Sequence, residues 1–380
     1  MSSESSLKSY INWRLILILV AFLMTVHYIL YNNDYNPLKK EIPESQSHSG
    51  SKSHSGPNSR PKNFYDFHDM KAAPDSIETE TSTADDTQSG KKASSASSAK
   101  TAAGKTTDGN SQEEYVAICL AVKDQGRDLP EWLTHHYHHV GIKRFYIMDD
   151  GSDPPLSTIQ MDYGIPKSAI TFHYQDRATR AAAMQPVFYS QCNEWHGANH
   201  TWIAYIDADE FLETTGKETL EEILKTFEPD ELVGALGVNW KTHNSNGHLK
   251  RPKSCREAFT SCLVDSDEEQ YGGTDDNHHI KSIVKTSFFG GAQNPHKFGL
   301  RDGAMTVGET GDIIHSIAWR SPITRDRIAL HHYAVKSREE FEDKLLRSNA
   351  MSDPKSEGFW EYIEAMRPVE ECKEMAQYKP

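Results

Sequence analysis

Short apolar runs alternate with amphipathic stretches from about residue 115 onward. YVAICLAV (115–122) is continuously apolar and of strand length, as a strand buried on both faces requires. KRFYIMDD (143–150), AITFHYQ (169–175), TWIAYID (201–207) and VGALGVNW (233–240) read as further strands. Between the first two, Pro130-Glu131-Trp132 opens a helix with Asp128 as its cap. Trp132, Leu133, His136, Tyr137 and Val140 share one side of it, and Gly141 ends it. The stretch 178–195 is predicted largely helical, with Pro186 as a kink or break, and KETLEEILKTF (217–227) is an amphipathic helix. This order predicts an α/β fold, a mixed but mostly parallel sheet flanked by helices. KSIVKTSFF (281–289), DIIHSIAW (312–319) and RIALHHYAV (327–335) are read as later strands. Ser337 to Glu340 form a capping box for a final helix, EEFEDKLLRSN. The polar, Gly-dotted stretch 243–279 is either an ordered substrate loop or a disordered insertion.

The pattern before residue 114 is different. Residues 11–31 hold enough apolar length to span a bilayer, with Lys8 and Arg14 before and Asn32, Asn33 and Asp34 after. No small-x-small cleavage site follows, so the expectation is an uncleaved signal anchor. It gives a cytosolic tail (1–10), a transmembrane helix (11–31) and a single-pass type II protein of the Golgi or endoplasmic reticulum membrane. Residues 32–113 are expected to be a flexible stem, because a stretch rich in Ser, Thr, Gly, Ala and Lys cannot offset its chain entropy by burial. The folded domain is placed at 114–350 and a helical tail at 351–380.

Composition adds limits. A formal charge of −14 argues against general affinity for nucleic acid. Five cysteines leave at least one unpaired. Cys119 is expected in the core, Cys255 and Cys262 are close enough in sequence to pair, and Cys192 and Cys372 are uncommitted. Asn199-His200-Thr201 is a glycosylation sequon placed in a loop before a strand.

The chemistry gathers at strand ends, where α/β sheets bind ligands. Asp207, Asp209 and Glu210 follow the TWIAYI run, and Asp149 and Asp150 close FYIMDD. A D-x-D pair can hold one hard divalent ion and leave sites for phosphate oxygens, although many such pairs are solvated turns. Asp149 and Asp150 can take N–H groups of a base or ribose hydroxyls, or simply mark a turn. His332 closes a late strand and is either ordinary or a neutral imidazole completing the metal shell. His135 and His139 stand at i, i+4, but no third ligand is near, so a satisfied core His136 is favoured over zinc.

Several blocks in order then suggest a family. They are EWLTHHYHHVGIKRFYIMDDGSDP, Gln185 with Tyr189, Cys192 and Asn193, WIAYIDADEFL, the pair KSIVK and NPHKF, and HHYAVKSREEFEDKLLR. Together, over about 115–347, the chain resembles glycosyltransferases of the GT-A fold, and more narrowly family 92 with the related family-2-like domain. The resemblance implies transfer of a sugar from a UDP- or GDP-sugar to a glycan, glycoprotein or glycolipid acceptor, dependent on Mn²⁺ or Mg²⁺. It implies that Asp150 holds the nucleoside, beside Asp149 and Gln185, and that Asp207 and Asp209 bind metal and diphosphate. It implies a late His332, Lys336 near phosphate, and His296 after the KSIVK strand. Glu257 lies where related members carry an acid in the acceptor region. It is the expected base of an inverting transfer, with Asp265 and Glu210 behind it. In three departures, Lys123-Asp124-Gln125 stands where relatives have Asn-Glu, the helix around His135 to Val140 is slightly long, and Ala208 stands where many have Ile. A metal-dependent hydrolase or phosphotransferase would want more ligands at other strand ends. A non-catalytic lumenal scaffold would fail to bind nucleoside diphosphate with Mn²⁺.

Overall fold

The computed structural model describes residues 114–265, 275–347, 355–366 and 368–379. The cytosolic tail, anchor and stem expected before residue 114 lie outside the described residues. Among the described residues no helix is long and apolar enough to cross a membrane.

The chain enters on β1 (Val116–Val122), and a helix follows, α1 (Leu129–His135), with Pro in its first turn. It continues as a π-helical stretch, His136–Val140, and ends on Gly141 at φ 90°. A left-handed cap of this kind favours glycine. Then come β2 (Arg144–Asp149), β3 (Ile170–Tyr174) and α2 (Met184–His196). β4 (Trp202–Tyr205) and β5 (Glu210–Thr214) flank the D-A-D turn. Helix α3 (Leu220–Lys225) starts on a capping box between Thr219 and Glu222 and leads to the long β6 (Val233–His243). The short helix α4 (Cys255–Ala258) and β7 (Ser261–Leu263) follow. After β8 (Ile280–Lys285), a hairpin of β9 (Phe289–Ala292) and β10 (Phe298–Leu300) precedes β11 (Met305–Val307). The last elements are β12 (Ile328–Tyr333), α5 (Arg338–Arg347), α6 (Glu357–Ala365) and β13 (Val369–Glu371).

Among the described residues, eleven strands form one sheet along the path β13-β7-β6-β8-β4-β1-β2-β3, with β11 and β12 on β6 and β5 on β12. The strands β1, β2, β3, β4, β6, β11, β12 and β13 run one way, and β5, β7 and β8 run against them. The mixed, mostly parallel sheet is therefore as expected. β1, β2 and β4 are buried nearly throughout, which explains the unbroken apolar sequences of β1 and β4 and the apolar middle of β2. The main core lies against α1 and includes Trp132, Leu133, Phe145, Trp202, Phe211 and Tyr333.

Four expectations are corrected. DIIHSIAW is not a strand; it makes only isolated bridges, Val307 to Ile313 and His279 to Trp319. Pro186 does not kink its helix, because α2 begins only at Met184 and the proline sits in the first turn, where a missing N–H costs nothing. Cys262 pairs with Cys372, not with Cys255, because β13 is hydrogen-bonded to β7 and brings the distant sulfur alongside. The tail after residue 350 is not only helical, since β13 adds a strand to the sheet.

Candidate active site

The D-A-D turn is fixed by backbone contacts from both sides. The Trp132 indole N–H lies 3.1 Å from Asp207 O and 2.8 Å from Glu210 O, and so donates under the turn from α1. The Asp207 N–H donates to Glu210 Oε2 at 2.8 Å, and the Glu210 N–H to Asp207 O at 3.0 Å. Tyr333 N–H on β12 donates to Asp209 O at 2.9 Å. Ala208 points into the core, so the middle position takes a small apolar residue while both acids are turned out of it.

Each acid has its own ammonium group. Asp207 Oδ1 accepts from Gln185 Nε2 at 2.5 Å and Tyr189 Oη at 3.3 Å, and Oδ2 accepts from Lys281 Nζ at 2.7 Å. Lys281 is only 1 % exposed and also stands 3.9 Å from Glu210 Oε1. Asp209 Oδ2 accepts from Lys344 Nζ at 2.8 Å. Burial alone would raise the pKa of Asp209, but the Lys344 ammonium, followed by His332 and Lys336, holds it well below the usual carboxylate range. Glu210 goes the other way. Burial, reinforced by the neighbouring Asp207 and Asp209 charges against the counteracting Lys281, pushes its carboxyl well above the usual range. Glu210 is fully buried beneath the turn with Oε2 taken by the Asp207 N–H, out of reach of an acceptor hydroxyl, so it is corrected as a reserve base.

Of the expected ligands, Asp209 and His332 carry the best remaining donors. Neither Asp209 Oδ1 nor the buried His332 Nδ1 has a hydrogen-bond partner among the described residues, and the His332 ring lies against Trp240, 4.0 Å between centroids. Burial lowers the His332 pKa to about 3, which leaves the imidazole neutral, as a metal ligand must be. Asp207, Asp209 and His332 do not form a closed three-ligand nest. Among the described residues only His243, Cys262 and Cys372 bring three ligand atoms within 4.8 Å, and those cysteines are joined in a disulfide.

The other candidates divide. Asp149 is buried and serves the backbone. Its two oxygens accept from Ser152 N and Leu156 N, both at 2.8 Å, and so build the turn after β2. Asp150 is fully buried and clasped by Arg180, with Nε 3.0 Å from Oδ1 and Nη2 2.5 Å from Oδ2. Arg177 from the same loop bonds Gly151 O and pairs with Asp124 at 3.2 Å. A side chain at Gly151 would meet Arg177 Cγ at 2.5 Å, so the glycine lets this arginine pass. Lys336, in the left-handed region at φ 53°, bonds Asp128 at 3.1 Å. Arg251 reaches the same Asp128 oxygen at 2.8 Å, and Arg347 lines the cleft with them, its guanidinium making no hydrogen bond or ion pair among the described residues. His296 is a buried residue with Nδ1 2.9 Å from Ile280 O, its ring edge-on to Trp240 and tilted against His279. Glu257 is exposed and pairs with Lys379 at 2.5 Å, and Asp265 pairs with Arg325 at 2.7 Å; neither touches the D-A-D turn. Asn199 is exposed in the turn before β4.

The histidine run is structural. His136 Nδ1–H donates to Trp132 O at 2.8 Å and Nε2 accepts from Leu212 N–H at 3.2 Å. His135, expected on the outer side, is buried as well: Nε2 contacts Leu212 O at 2.6 Å and Nδ1 faces Arg256 at 3.1 Å. His135 stands three residues after the buried Trp132 in the regular part of α1, on the same side, and the rings of Phe211 and Tyr378 pack against it. Sequence reasoning missed Trp132, Lys281, Lys344, Arg180 and Arg347 as site residues. A lysine inside a strand with every position buried, as in IKSIVK, was the one available signal, since such a charge needs a partner.

Residues 115–315, more than half of the chain, match the family model described as Glycosyltransferase family 92. The chain belongs to glycosyltransferase family 92. A family 92 protein of Oryza sativa subsp. japonica is 23% identical over 236 residues, covering 60% of this chain and 35% of the relative. Another, of Ricinus communis, is 23% identical over 235 residues, covering 61% and 37%. The chain thus spans about a third of the length of these curated relatives. Among solved structures, the mannosyltransferase PcManGT from Pyrobaculum calidifontis in complex with GDP-Man and Mn²⁺ is 12% identical. It covers 50% of this chain and 56% of its own at a TM-score of 0.27. S. aureus TarS 1-349 in complex with UDP-GlcNAc is 15% identical, with 46% of each chain covered and a TM-score of 0.28.

Proposed function

We propose that this protein is a glycosyltransferase of GT-A architecture that moves a sugar from a UDP- or GDP-sugar to a glycan, glycoprotein or glycolipid acceptor, with Mn²⁺ or Mg²⁺ at the D-A-D turn. Membership of family 92 supports the reaction class. The observation that carries the site is the turn itself, pinned at the carboxyl end of β4 with one oxygen of Asp209 and one nitrogen of His332 left without a hydrogen bond among the described residues.

Asp209 and His332 would hold the ion, with Asp207 behind them, steered by Gln185 and Lys281. When bound, the cation supplies positive charge to the diphosphate that leaves with the nucleoside. Lys344 and Lys336 add fixed charge on the same side, and neither needs to reorganise as negative charge builds on the leaving group. For Asp150 to hold a nucleoside, the arginine that clasps it must either move or take part in the contact. Glu257 receives no role in this reading, because its carboxylate is exposed, ionised and held by Lys379.

Calorimetric titration of the full chain with UDP and GDP, with and without Mn²⁺, tests the reading. Metal-dependent binding of either nucleotide is expected, followed by turnover in a panel of nucleotide sugars. A chain that binds neither is a scaffold. A type II position in the Golgi or endoplasmic reticulum, and a glycan on Asn199, belong to the same proposal. Protease added to sealed microsomes should spare residues 114–380, and digestion without detergent would refute the orientation.

A further inference from the structure

The segment 312–320 carries apolar side chains that the fold leaves in water. Ile313 is 43 % exposed, Ile317 53 % and Trp319 45 %. Single exposed apolar residues are ordinary. Three in seven residues on a loop clamped at both ends are less so. Arg320, itself buried, holds Asp312 at 2.7 Å, Asn239 Oδ1 at 2.7 Å and Thr324 Oγ1 at 2.8 Å. Backbone bonds run from Ile280 N–H to Ala318 O and from Arg320 N–H to His278 O, both 2.9 Å. The Trp319 indole N–H donates to His279 Nε2 at 2.8 Å. The ring is therefore exposed yet fixed.

A chain of rings joins it to the D-A-D site. His332 lies 4.0 Å from Trp240, Trp240 stacks on His279 at 4.7 Å, and His279 meets Trp319 edge-on at 5.6 Å. His279 precedes β8, which runs against β4 and so starts on the rim where β4 ends. In sheet order β8 and β6 lie on the far side of β4 from β1, β2 and β3. With the nucleoside on the β1 and β2 ends, the β8 and β6 ends are left for the second substrate.

We infer that Trp319 is a platform for one pyranose ring of the acceptor, whose apolar C–H face packs on the indole while its hydroxyls stay in water. The inference rests on the proposed function for the acceptor role, but not for the binding itself. A ring already held by His279 and the Arg320 clamp loses little freedom when a sugar docks, which favours weak but specific binding.

The test is saturation-transfer NMR on the full chain with methyl glycosides of glucose, galactose, mannose and N-acetylglucosamine, alongside UDP and GDP calorimetry. Wild type should transfer to the ring C–H protons of at least one glycoside. Trp319→Phe keeps an aromatic face and should stay within ~3-fold, whereas Trp319→Ala should lose at least ~10-fold. Nucleotide binding should change by less than ~2-fold in both variants, which also shows that they are folded. No transfer in wild type, or equal transfer in Trp319→Ala, overturns the platform. Transfer through Trp319 in a chain that binds no nucleotide leaves the platform standing and removes the proposed function.

Discussion

Lys344 Nζ stands 2.8 Å from Asp209 Oδ2, so the second acid of the D-A-D turn is neutralised by a helix 135 residues further along the chain. With a second bond partner in Ala334 O at 3.1 Å, Lys344 is fastened between the end of β12 and the turn. Two acids crowded at a strand end suggest mutual repulsion that Asp209→Asn would relieve. The structure reverses that reasoning, because the substitution leaves an ammonium group without its counter-charge. Asp209→Asn is expected to destabilise the fold by about 1–3 kcal/mol, and Asp209→Asn with Lys344→Met to recover part of the loss. Urea melts of the two variants check this. A single variant as stable as wild type would show that the pair contributes nothing.

Lys281 carries more of the burden. It is a nearly inaccessible cation serving Asp207 and facing Glu210. Removing one partner of a buried pair leaves an uncompensated charge and costs about 3–5 kcal/mol. Lys281→Met should therefore lower the melting temperature far more than Lys344→Met, whose ammonium is partly in water. Thermal melts followed by circular dichroism would show the order. Equal shifts would mean that Asp207 finds other partners.

Asp128 sets the acid limit of the cleft. Burial would raise its pKa, but the Lys336 and Arg251 charges outweigh this and bring it down to about 2 from 3.8. The folded pKa lies below the unfolded one, so the stabilisation is present above pH 3.8 and is lost as the pH falls through about 2. Its size is of the order of 2 kcal/mol. The stability difference between wild type and Asp128→Asn should shrink as urea melts are moved from pH 6 towards pH 2. A difference that stays constant would place the effect elsewhere.

The first half of the sheet was legible because β1 and β4 are apolar from end to end, β2 is apolar between Arg144 and Asp149, and helix signals separate them. The D-A-D turn was legible because three acids directly after a buried run have few structural reasons to be there. What escaped the sequence was distance. Lys281 meets Asp207 across 74 residues, Lys344 meets Asp209 across 135, and Cys372 meets Cys262 across 110. Local periodicity holds no record of such pairs. DIIHSIAW misled in another way: its apolar residues mimic a buried strand, yet the Arg320 clamp holds them as a loop with Ile313, Ile317 and Trp319 outward.

The metal reading makes the sharpest prediction. Asp209 and His332 offer two donors, and Asp207 is already occupied by Gln185, Tyr189 and Lys281, so the protein alone leaves most of an ion's shell to water. Mn²⁺ by itself should therefore bind weakly, and tightly only with UDP or GDP, whose diphosphate brings further oxygens and cancels charge. Asp209→Asn keeps the shape of the side chain but removes a ligand charge. It should lower turnover by at least ~10²-fold, about 3 kcal/mol of transition-state stabilisation. His332→Ala should weaken Mn²⁺-dependent nucleotide binding by ~10-fold. His139→Ala is the control, because His139 packs against Tyr378, 5.0 Å between ring centroids, away from the turn. Calorimetry with Mn²⁺ alone, nucleotide alone and both together separates these contributions. If Asp209→Asn binds nucleotide with undiminished Mn²⁺ dependence, the acids only shape the turn, and the cation, if one is used, sits elsewhere.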